Sequence, residues 1–114
     1  MAPEDLIRVR HMVDAVREAL AFAHGKSRTE LDHDRMLALA IIKELEIVGE
    51  AAAKVSAEGR GAYPVIPWAD IVGMRNRLIH GYFDIDLDLV WNTVADDLAP
   101  LLEQLEDVVR SSVR

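Results

Sequence analysis

The chain has 114 residues, no cysteine, and 20 acidic against 13 basic residues, which gives a formal net charge of −7. This length suits one domain with its own core, and the lack of cysteine excludes disulfides, thiol nucleophiles and cysteine-bound zinc. The acidic balance argues against a protein that coats nucleic acid with a generally basic face. We expect residues 1–114 to form a single cytoplasmic domain. Charged residues among the first 18 positions and the lack of a long apolar run predict neither a secretory signal nor a membrane span.

The first two helices are predicted from apolar residues that recur every three or four positions. The first runs over about residues 3–23 and the second over about 32–56, with Asp32 or Asp34 available as the N-cap of the second. The segment from Met36 to Val48 is apolar nearly all round. We therefore expect the second helix to be the central helix of the fold or to lie in a subunit interface.

Residues 58–67 contain two glycines and two prolines, which predicts a break in the helical pattern. A third, shorter helix follows over about 67–80, with Gly81 as its C-terminal stop. The fourth helix covers about 86–110, and Pro100 inside it should bend the helix. No segment has the pattern of a strand. The expected fold is an all-α, antiparallel bundle of four or five helices.

The stretch that carries most of the chemistry is residues 75–82, which read Arg-Asn-Arg-Leu-Ile-His-Gly-Tyr. Guanidinium groups such as those of Arg75 and Arg77 bind phosphate in a fork, and a histidine such as His80 transfers protons near neutral pH. These are the side chains needed to handle a phosphodiester. We therefore place the functional site in this stretch.

Arg75 and His80 each have a structural interpretation as well. Arg75 falls in the middle of the apolar arc of the third helix, so it either faces a cleft or is a structural arginine paired with a helix end or with Glu44, Glu46 or Glu50. His80 falls at the C-terminus of that helix, where the helix dipole favours the imidazolium form of a proton donor. Alternatively, His80 is a surface residue that caps the helix.

The neighbouring residues have supporting roles in this hypothesis. Asn76 lies one turn before His80 and could orient its ring, and Arg77 projects elsewhere as a solvated phosphate anchor. Arg75 and His80 are about 140° apart around a helix, so they do not share one face. A joint site then requires unwinding near Gly81, an arginine side chain that wraps around the helix, or a second subunit. We favour a second subunit, related by a two-fold axis near this helix.

The pattern Arg75-x4-His80-x-Tyr82 resembles the signature of HEPN-domain proteins of the HepT-like family. Three flanking segments resemble the same family in the same order. They are Ile47-Val48-Gly49-Glu50-Ala51, Tyr63-Pro64-Val65-Ile66-Pro67-Trp68 and Val90-Trp91. The likeness covers nearly the whole chain.

The resemblance implies a compact helical bundle that forms a homodimer, with a metal-independent ribonuclease site built from both copies of the motif. Arg75 and His80 would be the catalytic residues, and Asn76 the polar residue that follows the arginine. The resemblance also implies a toxin whose antitoxin is a nucleotidyltransferase of the MNT type, with Tyr82 as the acceptor of AMP groups. No cofactor is expected. Outside that role, Tyr82 is an ordinary amphipathic tyrosine at a helix end.

Two other functions remain open from the sequence. One is a non-catalytic adaptor of a nucleotidyltransferase, whose arginines recognise a nucleotide phosphate or a partner carboxylate; the other is a dimeric helical interaction module. A calcium loop at Asp84-x-Asp86-x-Asp88 is rejected, because Leu89 and Ala95 occupy the positions that require glycine and glutamate. These aspartates are expected to cap the fourth helix instead.

Overall fold

The computed structural model describes residues 1–80 and 84–112, apart from the side chains of Ile79 and His80. Helices and turns make up the described part of the chain, which contains no strand, and this confirms the predicted all-α fold. The helices are α1 (Pro3–Ala23), α2 (Glu30–His33), α3 (Arg35–Lys54), α4 (Ala57–Ala62), α5 (Trp68–His80), α6 (Leu87–Asn92) and α7 (Leu98–Ser112). A π-helical segment (Thr93–Asp97) joins α6 to α7.

The core lies around α3, which packs against α1 on one side and α5 on another, while α1 also packs against α7. Met12 of α1, Ile41 and Leu45 of α3, and Leu105 of α7 are completely buried. The second predicted helix is thus the central one. Burial in the core does not account for all of its apolar residues, because Met36 at its start remains 83% exposed.

Two helix boundaries differ from the sequence prediction. The side chain of Asp34 accepts a hydrogen bond from the backbone N–H of Leu37 at 3.0 Å, so α3 begins just after Asp34, and the residues before it form the separate α2. The predicted break over 58–67 is wrong at its start, because α4 forms there. Ser56 caps α4 by accepting from the backbone N–H of Gly59 at 3.0 Å. One good cap stabilises a short helix in spite of its two glycines.

The fourth predicted helix is observed as α6, the π-helical segment and α7. Asp86 caps α6 by accepting from the backbone N–H of Leu89 at 3.0 Å, as predicted for one of the three aspartates. The π-helical segment ends three residues before Pro100, whose ring crowds the carbonyl one turn earlier and which has no N–H to donate. A wider turn accommodates this residue, and the N–H of Leu98 bonds to the carbonyl of Thr93.

Across the described ranges, none of the helices combines the length and the apolar character needed to cross a membrane.

Candidate functional site

The start of α5 fixes the orientation of the motif. The N–H of Ile71 donates to the carbonyl of Pro67 at 3.0 Å, so the helix begins directly after this proline. Trp68 is buried, and its indole Nε1 donates to the carbonyl of Tyr63 at 3.1 Å. Ile71 and Leu78, two turns apart, are both buried on the side that packs against α3. These anchors determine where residues 75–77 project.

The stem of Arg75 lies directly on the backbone of α3 at Gly49. A Cβ atom placed on Gly49 would be 2.0 Å from Cβ and 2.5 Å from Cγ of Arg75, far inside van der Waals contact. Only a glycine at this position permits the close approach of the two helices. The side chain of Arg75 is therefore held at its base by backbone packing, and its guanidinium emerges at the edge of the α3–α5 contact.

The guanidinium of Arg75 is only partly used by the protein. Its Nη1 donates to Oδ1 of Asn76 at 3.0 Å, and its Nη2 lies 3.8 Å from Oε1 of Glu50. Its Nε is shielded from solvent and makes no hydrogen bond to any described residue. Of the three glutamates considered from the sequence, Glu50 is the one beside Arg75. Because both side chains are partly exposed (29% and 46%), this long ion pair contributes at most about 1 kcal/mol.

A guanidinium has five N–H donors, and only one of those of Arg75 makes a hydrogen bond of normal length with the described residues. This arrangement differs from that of a structural arginine saturated by carboxylates and carbonyls. Arg60 is an example of the saturated kind in the same chain, since it donates to the carbonyls of Val55, Ala52 and Ala53 at 2.9–3.1 Å. Apart from the shielded Nε, the remaining N–H donors of Arg75 on Nη1 and Nη2 are suited to an anion such as a phosphate.

The two polar neighbours of Arg75 are exposed and differ in placement. Asn76 keeps the guanidinium in position through the hydrogen bond to its Oδ1. Arg77 does not join this group and lines a trough on another side of α5, as do Met74 and Asp96. The structure thus brings Arg75 and Asn76 together and places Arg77 apart from them, in the direction expected from the helical spacing.

The other two residues of the predicted site are His80 and Tyr82. Helix α5 extends to His80, but the side chain of His80 lies outside what the structure describes. Tyr82 lies in the segment 81–83, which is also outside the described residues, as is the predicted helix stop Gly81. The roles of His80 and Tyr82 therefore stay predictions from the sequence.

The acidic residues that follow the motif are used structurally. Asp86 caps α6, and Oδ1 of Asp88 accepts from Nε of Arg28 at 2.7 Å. Within residues 1–80 and 84–112, no three histidine, aspartate or glutamate side chains are grouped so that they could hold a metal ion. Asp86 and Asp88 therefore serve as a helix cap and as a partner of Arg28 in the described structure.

Gly49 is the one contributor to this site to which the sequence analysis gave no role. The available signal was a glycine in the interior of a helix rich in alanine and leucine, where a glycine costs about 1 kcal/mol relative to alanine. A close contact with a neighbouring helix is one reason for a glycine at such a position. Its contact with Arg75 is visible only in the tertiary structure.

The family model and the similar proteins agree on one family of proteins. The family described as "Ribonuclease HepT-like" matches residues 12–108. The chain is 33% identical over 97 residues to the protein named "Putative RNase MJ1380" of Methanocaldococcus jannaschii, covering 85% of this chain and 89% of that protein. It is 37% identical over 73 residues to "Probable ribonuclease HepT" of Thermococcus cleftensis, covering 64% and 66% of the two chains. No solved structure matches the chain significantly.

Proposed function

This chain belongs to the HepT-like ribonuclease family, and we propose that it cleaves RNA without a metal ion, at a site built on Arg75 and His80. The observation that carries the proposal is the partly exposed guanidinium of Arg75. Its stem is fixed on Gly49, and most of its donors are unused by the described residues. An anchored cation with spare donors is suited to binding a phosphate.

The proposed chemistry uses the nucleophile that RNA itself carries. His80 takes the proton of the 2′-hydroxyl, and the 2′-oxygen attacks the adjacent phosphorus. The bond to the 5′-oxygen breaks, and a second imidazolium supplies the proton that this oxygen needs. Arg75 stabilises the charge that builds on the non-bridging phosphate oxygens. The products are a 2′,3′-cyclic phosphate and a 5′-hydroxyl, and no oxidant, water or metal enters the step.

We propose further that two copies of the chain form the site, so that one histidine acts as base and the other as acid. An apolar patch on α3 supports this proposal, since Met36 is 83% and Leu39 is 43% exposed. Leu39 and Glu50 are 11 residues apart, about three turns, so they lie on nearly the same face of α3. A second copy seated on this face would therefore also lie beside the ion pair of Glu50 and Arg75.

Co-expression of wild type with His80→Ala tests the shared site. If one site needs the histidines of both copies, a mixed dimer is inactive. With equal amounts and random pairing, a quarter of the dimers contain two wild-type copies, so about a quarter of the wild-type cleavage rate should remain. If about half of the rate remains in mixed dimers that are shown to form, each copy holds a complete site and the shared site is refuted.

The cellular role that we propose is that of a cytoplasmic toxin paired with an MNT-type nucleotidyltransferase antitoxin, which transfers AMP to Tyr82. Tyr82 is two residues from His80 in the sequence. An added AMP group would bring negative charge and bulk next to the proposed acid and base, and both would oppose the entry of RNA. The family description names a ribonuclease only. The antitoxin and the modification are our proposals.

The test is cleavage of RNA in EDTA by the purified wild type, by Arg75→Ala and by His80→Ala, with Arg110→Ala as the matched control. Arg110 is an exposed arginine at the end of α7 that pairs only with Asp107 of its own helix in the described structure. We expect wild type and Arg110→Ala to cleave and the two motif variants to lose at least about 100-fold in rate. Circular dichroism must show that all four are folded.

Lack of cleavage by wild type that carries no modification on Tyr82, checked by mass spectrometry, would refute the ribonuclease proposal in favour of the adaptor. Equal cleavage by wild type and both motif variants would mean that the RNA is cut elsewhere or by a contaminant. A cleavage rate that disappears in EDTA would refute the metal-independent step.

A further inference from the structure

A second surface of the molecule has the features of a binding site for a protein segment. A trough of about 860 Å³ runs between α5 and the helix that continues from the π-helical segment into α7. Its floor is apolar, and it includes side chains from four helices, α3, α5, α6 and α7. The floor residues are Val48, Ile71, Leu89, Leu98 and Leu101.

The two edges of this trough carry an excess of negative charge. On α5, Asp70, Met74 and Arg77 follow one another at spacings of four and three residues, so they lie along one edge over about 10 Å. On the opposite edge, Asp96 and Asp97 of the π-helical segment are both exposed. In the described part of the chain, none of these three aspartates forms an ion pair within 4.0 Å.

The π-helical segment shapes the same edge. A π-helical turn has more residues than an α-helical one, and two consecutive aspartates of this segment line the trough. Adjacent carboxylates at one edge favour a ligand that brings positive charge.

From this combination we propose that the trough binds a basic, amphipathic helix of a protein partner. The apolar side chains of that helix lie on the floor, and its lysines or arginines pair with Asp70, Asp96 and Asp97. Each edge offers about two to three helical turns of contact, since residues 93–104 extend over roughly 16 Å. Arg77 is the one lysine or arginine among the described residues that line the trough, and it favours an acidic residue of the partner there.

The charges also argue against other occupants. Three carboxylates against one guanidinium repel the phosphates of RNA. A second copy of this chain, with its net charge of −7, would bring two such acidic edges together. The inference does not depend on the proposed ribonuclease activity, because it concerns a different side of α5 and a binding event alone.

Fluorescence anisotropy tests this proposal with a labelled synthetic peptide. The probe is an amphipathic helix of leucine and lysine about five turns long, and its control has glutamate in place of every lysine. We expect the lysine peptide to bind the wild-type protein and the glutamate peptide not to bind. The double variant Asp96→Asn/Asp97→Asn should weaken binding by about 2- to 30-fold, since each exposed charge pair contributes about 0.2–1 kcal/mol.

A control variant separates docking from general attraction to an acidic protein. The variant Asp14→Asn/Glu103→Gln also removes two negative charges, but at exposed positions that do not line the trough. We expect it to bind as wild type does, and amide chemical shifts should change on binding around Asp70, Met74 and Leu101. Equal weakening by both double variants, or shifts scattered over the surface, would overturn the proposal. Shifts in the trough that depend on protein concentration without peptide would also overturn it, because a second copy would then be the occupant.

Discussion

The contact between Gly49 and Arg75 leads to a sharp prediction about Gly49→Ala. The new Cβ would lie 2.0 Å from Cβ and 2.5 Å from Cγ of Arg75. Carbon atoms in good contact are about 3.5–4.0 Å apart, so either α5 moves away by roughly 1.5 Å or the stem of Arg75 is displaced. Overpacking of this kind costs about 1–3 kcal/mol, and the better helix propensity of alanine returns about 1 kcal/mol. We expect a net destabilisation of up to about 2 kcal/mol.

Gly73→Ala is the matched control, because it is the same substitution in the interior of α5. A Cβ on Gly73 meets nothing within 4 Å, so only the gain in helix propensity remains, about 0.5–1 kcal/mol of added stability. Urea unfolding followed by circular dichroism should therefore separate the two variants by about 1–3 kcal/mol, with Gly49→Ala the less stable.

Gly49→Ala also keeps every group of the proposed catalytic chemistry while moving Arg75. We expect its rate of RNA cleavage to fall by about 10- to 100-fold, since a displacement of about 1 Å has that effect on a positioned catalytic group. If Gly49→Ala were as stable as Gly73→Ala and cleaved RNA at the wild-type rate, the close packing of α3 on α5 would not be what positions Arg75.

Two further predictions concern buried carboxyl groups. Burial, aided by the nearby carboxylate of Glu18, raises the pKa of Glu44 to about 7, so the folded protein holds a proton that the unfolded chain loses above its ordinary pKa of 4.5. Stability should then fall as pH rises from about 4.5 to 7, and Glu44→Gln should remove this fall and stabilise the protein by on the order of 2 kcal/mol at about pH 8, but not at about pH 5. Urea titrations at both pH values measure the stability of Glu44→Gln, with Glu46→Gln as the control. An equal change in stability at the two pH values would contradict the prediction. Hydrogen bonds from the side chain and backbone of Ser56 lower the pKa of Asp5. Asp5→Asn should therefore reduce the free energy of unfolding by about 1–3 kcal/mol near neutral pH, and progressively less below the ordinary pKa of 3.8. A reduction that persists unchanged in acid would contradict this prediction.

The fold could be predicted from the sequence where periodicity and capping agree. The apolar spacing gave the long helices, and Asp34 and Asp86 act as N-caps as expected. The short helix α4 was missed because glycine and proline were given more weight than the cap at Ser56. The π-helical segment was missed because the sequence shows where Pro100 disturbs the helix, but not how the backbone adapts to it.

The residues of the site could be predicted from the sequence, but their arrangement in space could not. Arg75 stood out by its type on an apolar arc, but periodicity alone could not choose among three glutamates as its neighbour. The structure places Glu50 beside it, at a distance that leaves the guanidinium accessible. The dependence on Gly49 arises from the distance between two helices, which local sequence rules do not determine.

The most direct test of the central claim is to identify the ends that the purified protein leaves on RNA in EDTA, by mass spectrometry of the fragments. Attack by the 2′-hydroxyl with Arg75 and His80 predicts 2′,3′-cyclic phosphate and 5′-hydroxyl ends. Fragments with 3′-hydroxyl and 5′-phosphate ends would contradict this account, because they require an external nucleophile that attacks from the other side of the phosphate.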